Sequence, residues 1–335
     1  MEPSWTTTLL RQICAEKDYR IECCDLQPSM CRVVFPDGGS TLFFSSTLNI
    51  NGAASRIGAV DKAYTKFFLE KERVSVPDGG VVFSEAWNLQ NNLNKTKNAL
   101  LEEYRDRNNF PLIVKPNRGF QGRSVYKVYN HRELDRALDL VLESTNAAVV
   151  EECVTGEEYR LVLYKGKLIA AYLKTPLRVI GDGESSIGEL LENKRMEQIM
   201  RGRGDVIVPH VDYITDRLHQ SGYTLQDVLP VGVELRLRDN ANLSTGGDVV
   251  DVTEKIHTDY LELAKKIANI MDLDLIGIDV ISKTPINEPL SQYWVLEVAY
   301  TPGLHHYASL GEEQYQKVKS MYSDIIESLR KRRNV

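Results

Sequence analysis

The sequence predicts an α/β protein assembled from α+β lobes, and three observations carry that reading. The chain has 335 residues, more than one simple hydrophobic core organises, so two or three lobes are expected. Short β-prone runs alternate with stretches of helical apolar spacing along most of its length. Residues 275–302 read LIGIDVISKTPINEPLSQYWVLEVAYTP, two apolar runs around a Pro/Asn/Ser-containing connection, which predicts a pair of strands. Each run carries one acid, Asp279 in the first and Glu297 in the second. An ionised carboxylate in an apolar setting is costly unless a cation or donor compensates it. Two acids facing each other across paired strands would repel, and a divalent metal removes the repulsion, with hard oxygen ligands suiting Mg²⁺. Two solvated acids on an open sheet face fit the pattern equally well at this point.

Composition narrows the function classes. Apolar content of 42% and charged content of 26% are ordinary for a globular chain, and a net charge of −6 gives no global case for nucleic acid. The basic run at 330–333 closes a predicted helix, where cations suit the dipole. Five cysteines with no CxxC pair argue against a disulfide framework or a zinc site and for a reducing compartment. With no leader-like start and no bilayer-length apolar run, a cytoplasmic protein with no membrane partner is expected.

Taken in order, Thr6–Thr8 cap a short helix over 9–16, and YRIECC (19–24), CRVVF (31–35), a PDGG turn and TLFF (41–44) complete a small α/β lobe. Asp61 caps a helix to about Glu72, with Ala63, Phe67 and Phe68 as its apolar face and Lys62 and Lys66 pointing elsewhere. A second helical stretch covers 87–105. PLIVKPNRGFQGRSVYKV (111–128) predicts a strand ending in Lys115, a glycine-containing loop and a second strand. Such a loop leaves backbone N–H groups free to cradle phosphate while the lysine adds a point charge, although an ordinary hairpin has the same pattern. A helix over 132–143 buries Leu134, Leu138, Val141 and Leu142. Strands follow at 147–152, 158–164 and 167–173, then a GDGESS turn into a helix over 187–200 with Leu190, Leu191 and Met196 inward. Residues 201–230 are polar with helical fragments. Residues 231–253 join a strand bearing Arg236 and Arg238 to a polar loop with adjacent glycines. A helix over 257–271 leads to the two acid-bearing strands, and a helix over 312–330 ends the chain.

Lysines, arginines and Mg²⁺ are the parts that phosphoryl transfer needs, because its catalysis is mostly positioning and charge neutralisation. The chain has no GxxxxGK[ST] motif and no HRD or DFG signature, which excludes the common phosphate-loop and protein-kinase solutions. The sequence resembles the ATP-grasp superfamily, and within it the ATP-grasp modules of cyanophycin synthetase and bifunctional glutathione synthetase. The resemblance is carried by DKAYTK (61–66), PLIVKPNRGFQGRSV (111–125), VVEECVTGEEYRLVL (149–163), VIGDGESSIGEL (179–190), LRLRDNANLSTGGDVVDVT (235–253) and GIDV…LEVAYTPGL (277–304), in family order.

The resemblance implies an ATP-grasp fold with a small preceding N-terminal α/β lobe. Residues 1–90 would form the substrate-side lobe, 91–155 the small lobe with the phosphate loop, and 156–335 the large lobe with the metal site. It implies that Lys62 and Lys115 contact ATP phosphates, with Gly119 and Gly122 in the loop over them. Glu151 and the backbone of Cys153 and Val154 would read the adenine, and Glu158 the ribose. Arg238 and Asn242 would face the transferred phosphate, and Asp279 and Glu297 would hold Mg²⁺. Two departures stand out: Ser124 occupies a loop position where the family usually has glycine, and the family's EVN metal block reads Glu297-Val298-Ala299. The missing amide oxygen puts a second metal in question. The implied reaction is ADP-forming ligation of a carboxylate to an amine through an acylphosphate, on amino acids or a small peptide. Two alternatives are an enzyme that uses a thiol or another acceptor and a non-catalytic nucleotide-binding protein. A homo-oligomer is left open. His305, His306 and Tyr307 are further candidates for substrate contact, or plain loop residues.

Overall fold

The computed structural model describes residues 2–105, 109–119, 124–200, 211–238, 241, 243 and 246–332. In chain order it contains α1 (Trp5–Glu16), β1 (Arg20–Cys23), β2 (Met30–Val34), β3 (Ser40–Phe44), β4 (Thr47–Leu48), α2 (Ala53–Val60) and α3 (Lys62–Lys71). Next come β5 (Gly79–Phe83), α4 (Glu85–Asn91), α5 (Lys97–Tyr104), β6 (Leu112–Pro116), β7 (Tyr126–Val128), α6 (His131–Ser144), β8 (Ala147–Glu152), β9 (Glu157–Tyr164) and β10 (Lys167–Thr175). The remainder is β11 (Arg178–Ile180), α7 (Ile187–Met200), α8 (Val211–Gln220), β12 (Glu234–Arg236), β13 (Asp248–Asp251), α9 (Thr258–Ile270), β14 (Leu275–Ser282), β15 (Tyr293–Ala299), α10 (His305–Ala308) and α11 (Glu312–Lys331). The architecture is mixed α/β with antiparallel strand pairing, and the chain divides into two compact units. Neither is one continuous stretch. The first comprises Met1–Ile50, Lys167–Glu254 and Thr301–Val335, and the second comprises Asn51–Gly166 and Lys255–Tyr300.

In the first unit β1–β2–β3–β4 form an antiparallel sheet, with α1 and α11 packed together beside it. The cap of α1 is Ser4, whose hydroxyl accepts from Thr7 N, so the helix starts upstream of the expected threonines. The expectation of unpaired cysteines is corrected here. Antiparallel register puts Cys23 opposite Cys31, and a disulfide joins them with Cα atoms 4.0 Å apart. The strand-to-strand geometry, not any sequence spacing, creates that pair. Elsewhere in this unit β10 pairs with β13, and β11 with β12. Leu177, Val179, Ile187, Leu191, Ile214 and Leu218 form a local core around α7 and α8. Met196, expected inward, is exposed.

The second unit holds the sheet β5–β8–β6–β7 and the antiparallel set β9–β14–β15. Asn130 caps α6, which buries Leu134, Ala137, Leu138 and Val141 against the first of these sheets. The stretch read as one helix over 87–105 is two, α4 and α5, because Asn92 adopts a left-handed conformation at φ 54° and ends the first. Gly79 is required where β5 meets β8: a Cβ there would lie 2.0 Å from the Val150 carbonyl oxygen. Helix α3 faces the opposite way from the sequence expectation. Phe67 and Phe68 are 58% and 46% exposed, while the side chains of Lys62 and Lys66 are only 11% and 14% exposed.

Candidate functional site

Of the predicted site residues the second unit contains Lys62, Lys115, Gly119, Glu151, Cys153, Val154, Glu158, Asp279 and Glu297, and it joins Lys62 to Gly119 and Glu297, Lys115 to Glu151, and Asp279 to Glu297. β14 is buried nearly along its whole length, as a strand flanked by β9 and β15 should be. Asp279 is therefore a carboxylate in an apolar strand, and its neighbours decide its energetics. Across one register it faces Glu297 on β15, and across the other it faces Arg160 on β9. The guanidinium of Arg160 grips both carboxylate oxygens, with Nε donating to Oδ1 and Nη2 to Oδ2, the latter at 2.7 Å. Glu297 is more exposed, and Lys62 Nζ lies 3.8 Å from its Oε1. The result is a rung in which two carboxylates are flanked by two cations: guanidinium, carboxylate, carboxylate, ammonium.

Local folding puts Lys62 at that rung. It is the first residue of α3, directly after the Asp61 cap whose carboxylate accepts from Tyr64 N. Arg118 Nε donates to the same carboxylate at 3.0 Å. The helix start is tied to the end of β6 by Lys62 N donating to Asn117 O and Ala63 N to Asn117 Oδ1. Lys62 Nζ also donates to the Gly119 carbonyl at 3.2 Å. Burial pushes the pKa of Lys62 below the usual lysine range; Glu297 pulls it back up, and Lys115 adds like-charge repulsion that lowers it.

Lys115 and Glu151 form a second, nearly dry pair at 2.6 Å, between β6 and β8. Beyond Glu151 the chain runs through Cys153, whose N–H donates to the Pro111 carbonyl, and half-buried Val154 into β9. Gly156 permits the close approach of β9 to β14, since a Cβ there would sit 2.3 Å from the Ser282 carbonyl oxygen. Glu158 lies on β9, opposite Ile281 and two residues before Arg160. Ser124 takes φ 55°, a left-handed conformation that glycine adopts more readily, at the departure noted in the phosphate loop. Gly122 and Asn242 fall outside the described residues.

Arg238 belongs to the first unit. Its guanidinium stacks over the Tyr213 ring at 4.4 Å, its Nε has no hydrogen-bond partner, and burial lowers its pKa. Tyr307, a candidate substrate contact, is fully buried in the first unit. Its hydroxyl donates to Asp251 at 3.0 Å, so it braces a loop and is not a surface residue. Sequence reasoning missed Arg160 and Lys66. Lys66 Nζ donates to the carbonyls of Pro77 and Gly79, which pins the entry to β5. Arg160 is two residues from Glu158 on β9, so both leave the same strand face, which by itself does not tell a site arginine from a solvated one.

Asp279 and Glu297 are the carboxylates that would be offered to a magnesium ion, which typically takes one or two carboxylates plus phosphate oxygens. Ala299 pairs with Gly277 and offers no oxygen for a second ion. Among the described residues no group of three or more His, Cys, Asp or Glu side chains is placed to hold a metal, and no helix is long and apolar enough to cross a membrane.

Comparison with known proteins follows the same residues. Residues 80–176 match the family model described as the D-Ala–D-Ala ligase C-terminus. A cyanophycin synthetase of Trichormus variabilis is 31% identical over 277 residues, covering 80% of this chain and 29% of that protein. A glutathione biosynthesis bifunctional protein of Streptococcus mutans is 33% identical over 233 residues, covering 67% of this chain and 29% of that protein. The chain belongs to the ATP-grasp superfamily. In fold, the ATP-grasp chain is similar to a bifunctional glutathione synthetase from Pasteurella multocida, with a TM-score of 0.65 and 20% identity over 96% of this chain and 44% of that one. This ATP-grasp chain spans about three-tenths of the length of the two curated relatives.

Proposed function

We propose that the chain is an ATP-dependent carboxylate–amine ligase that forms an amide or peptide bond between amino acids or on a small peptide. The observation that carries this reading is the rung Arg160–Asp279–Glu297–Lys62, with the Lys115–Glu151 pair in the same unit. Cations and acids side by side are what a nucleoside triphosphate and its metal both call for. Membership of the superfamily supports the same reading. Lys62 and Lys115 bind phosphate oxygens, and Gly119 lies in the loop over them. Glu151 and the backbone at Cys153 and Val154 orient the base, and Glu158 takes the ribose. Asp279 and Glu297 would hold Mg²⁺, which when bound would neutralise the phosphate oxygens and so make the terminal phosphorus attackable. Arg238 and Asn242 steady the transferred phosphate.

The substrate carboxylate oxygen bonds to the terminal phosphorus as the bond to ADP breaks, giving an acylphosphate. The free amine of the second substrate then attacks the acyl carbon, phosphate leaves with the acyl bond's electrons, and the amine proton passes to solvent. The apolar walls of β14 and β15 limit water, which would otherwise hydrolyse the intermediate.

The test is ADP and phosphate release over pairwise mixtures of amino acids, with mass spectrometry of the product. A ligase gives release only with a matched pair and a product lighter than the sum of its substrates by one water. A thioester product shows a different acceptor. The second reading, a protein that binds nucleotide without turnover, is favoured by Ala299. Nucleotide binding with no release under any mixture establishes that reading and removes the first.

A further inference from the structure

Asp279 stands between two register partners of opposite charge, and the positive one holds it completely. Arg160 Nε donates to Oδ1 and Nη2 to Oδ2, so both oxygens are engaged by one planar fork. The two side chains are 16% and 7% exposed, so little water screens them. On the far side of the rung Glu297 has its own cation in Lys62. Each acid therefore already has a counter-ion from the protein itself, and the rung as a whole is neutral. A divalent ion approaching Asp279 meets a fixed positive charge, and it must share carboxylate oxygens that a bidentate pair already draws on.

We propose that Arg160 is a positioning residue that competes with the divalent ion for Asp279. The ion alone is then held weakly, and it engages Asp279 only when phosphate oxygens arrive with it. This rests on the assignment of Asp279 and Glu297 to the metal. The exchange is favourable with a triphosphate present because a metal–triphosphate complex is net negative. The guanidinium displaced from Asp279, and the ammonium displaced from Glu297, find phosphate oxygens in place of the carboxylates they leave. No buried charge is stranded at any stage, which is the condition for such an exchange in a poorly hydrated strand. Without Arg160, Asp279 and Glu297 would face each other across the register with less positive charge to oppose a cation from solution.

The probe is Mn²⁺, titrated into nucleotide-free protein and followed by the electron paramagnetic resonance signal of the free ion. Arg160→Met is expected to tighten Mn²⁺ binding by about tenfold or more, the scale of one charge-assisted hydrogen bond no longer displaced. Arg160→Lys is expected to fall between that variant and the parent, because an ammonium leaves one carboxylate oxygen open. Adding Asp279→Asn to Arg160→Met removes the gain. Since Arg160→Met takes the guanidinium fork from a buried carboxylate, the lysine variant carries the test if the methionine variant does not fold. Folded Arg160 variants that bind Mn²⁺ no tighter than the parent overturn the proposal. A parallel titration with nucleotide separates its failure from that of the site assignment. If Asp279→Asn binds Mn²⁺ and nucleotide as the parent does, the metal assignment itself falls. If that variant loses affinity while Arg160 variants leave nucleotide-free binding unchanged, only the competition falls.

Discussion

Lys115 and Glu151 neutralise each other at 2.6 Å with almost no access to water, so each is the other's solvent. Lys115→Met should destabilise the protein by about 3–5 kcal/mol, because it leaves an uncompensated buried carboxylate. It should also weaken nucleotide binding by about 1.5–3 kcal/mol through loss of a charge-assisted contact. Adding Glu151→Leu should recover most of the stability and none of the affinity, which urea unfolding and calorimetric titration read separately. A double variant as unstable as the single one would show that the pair is not the source of the loss. Ala299 invites the opposite experiment. Its register partner is Gly277, which presents no side chain, so Ala299→Asn has room and returns an oxygen beside Glu297. That variant should reach half-maximal ADP release at lower free Mg²⁺ than the parent, and an unchanged or higher requirement contradicts the missing-ligand account. Asp279 and Glu297 were legible in the sequence because acids in apolar strands demand a reason, and Lys115 because it ends a strand at a glycine loop. Arg160 was not, because an arginine on a half-buried strand looks solvated until its partner across the sheet, 119 residues away, is known.

Helix α3 shows where patterning misleads. An apolar stripe is ordinarily the buried stripe, yet here the inward face carries Thr65 and Leu69 together with Lys62 and Lys66, and the two phenylalanines stack edge to face outside. Lysine stems are apolar, and their ammonium groups reach carbonyls and a carboxylate at the site, so the interior accepts them. Phe67→Ser should accordingly change stability by no more than about 0.5 kcal/mol, whereas Leu69→Ala should cost about 2–5 kcal/mol. Equal costs in thermal or urea unfolding would refute this assignment of faces. Strands β14 and β15 were legible because they announce themselves by composition, and their acids fall in register. The division of 87–105 into α4 and α5 depends on one left-handed asparagine, and propensity alone gives no sign of it. Gly156 sets a second strict condition. Gly156→Ala should force β9 away from β14 and loosen the grip of Arg160 on Asp279, seen as a drop in stability well beyond that of an exposed Gly→Ala change.

At the scale of the molecule, each unit is stitched from segments far apart in the chain, and polar networks do part of the stitching. In the first unit Asp251, at the end of β13, accepts from Thr253 N at 2.9 Å, from the Tyr307 hydroxyl at 3.0 Å and from Gln314 Nε2 at 2.8 Å. Burial alone would raise its pKa, but these donors together hold the carboxyl below the ordinary range. A depressed carboxylate contributes stability that is present above its unfolded pKa of about 4 and is lost as pH falls through the folded value. Asp251→Asn should therefore lower stability at neutral pH and flatten its acid limb, and parallel limbs in parent and variant would exclude the network as a source of acid sensitivity. The segmented build also has a consequence in time. A ribosome delivers Lys62, Lys115, Glu151 and Arg160 well before it delivers either acid of the rung. A nascent chain halted before Leu275 lacks the strand that brings Asp279 to Arg160, and the cations we assign to phosphate are present while the carboxylates we assign to metal do not yet exist. The second unit thus closes late in synthesis, and its acid pair arrives last.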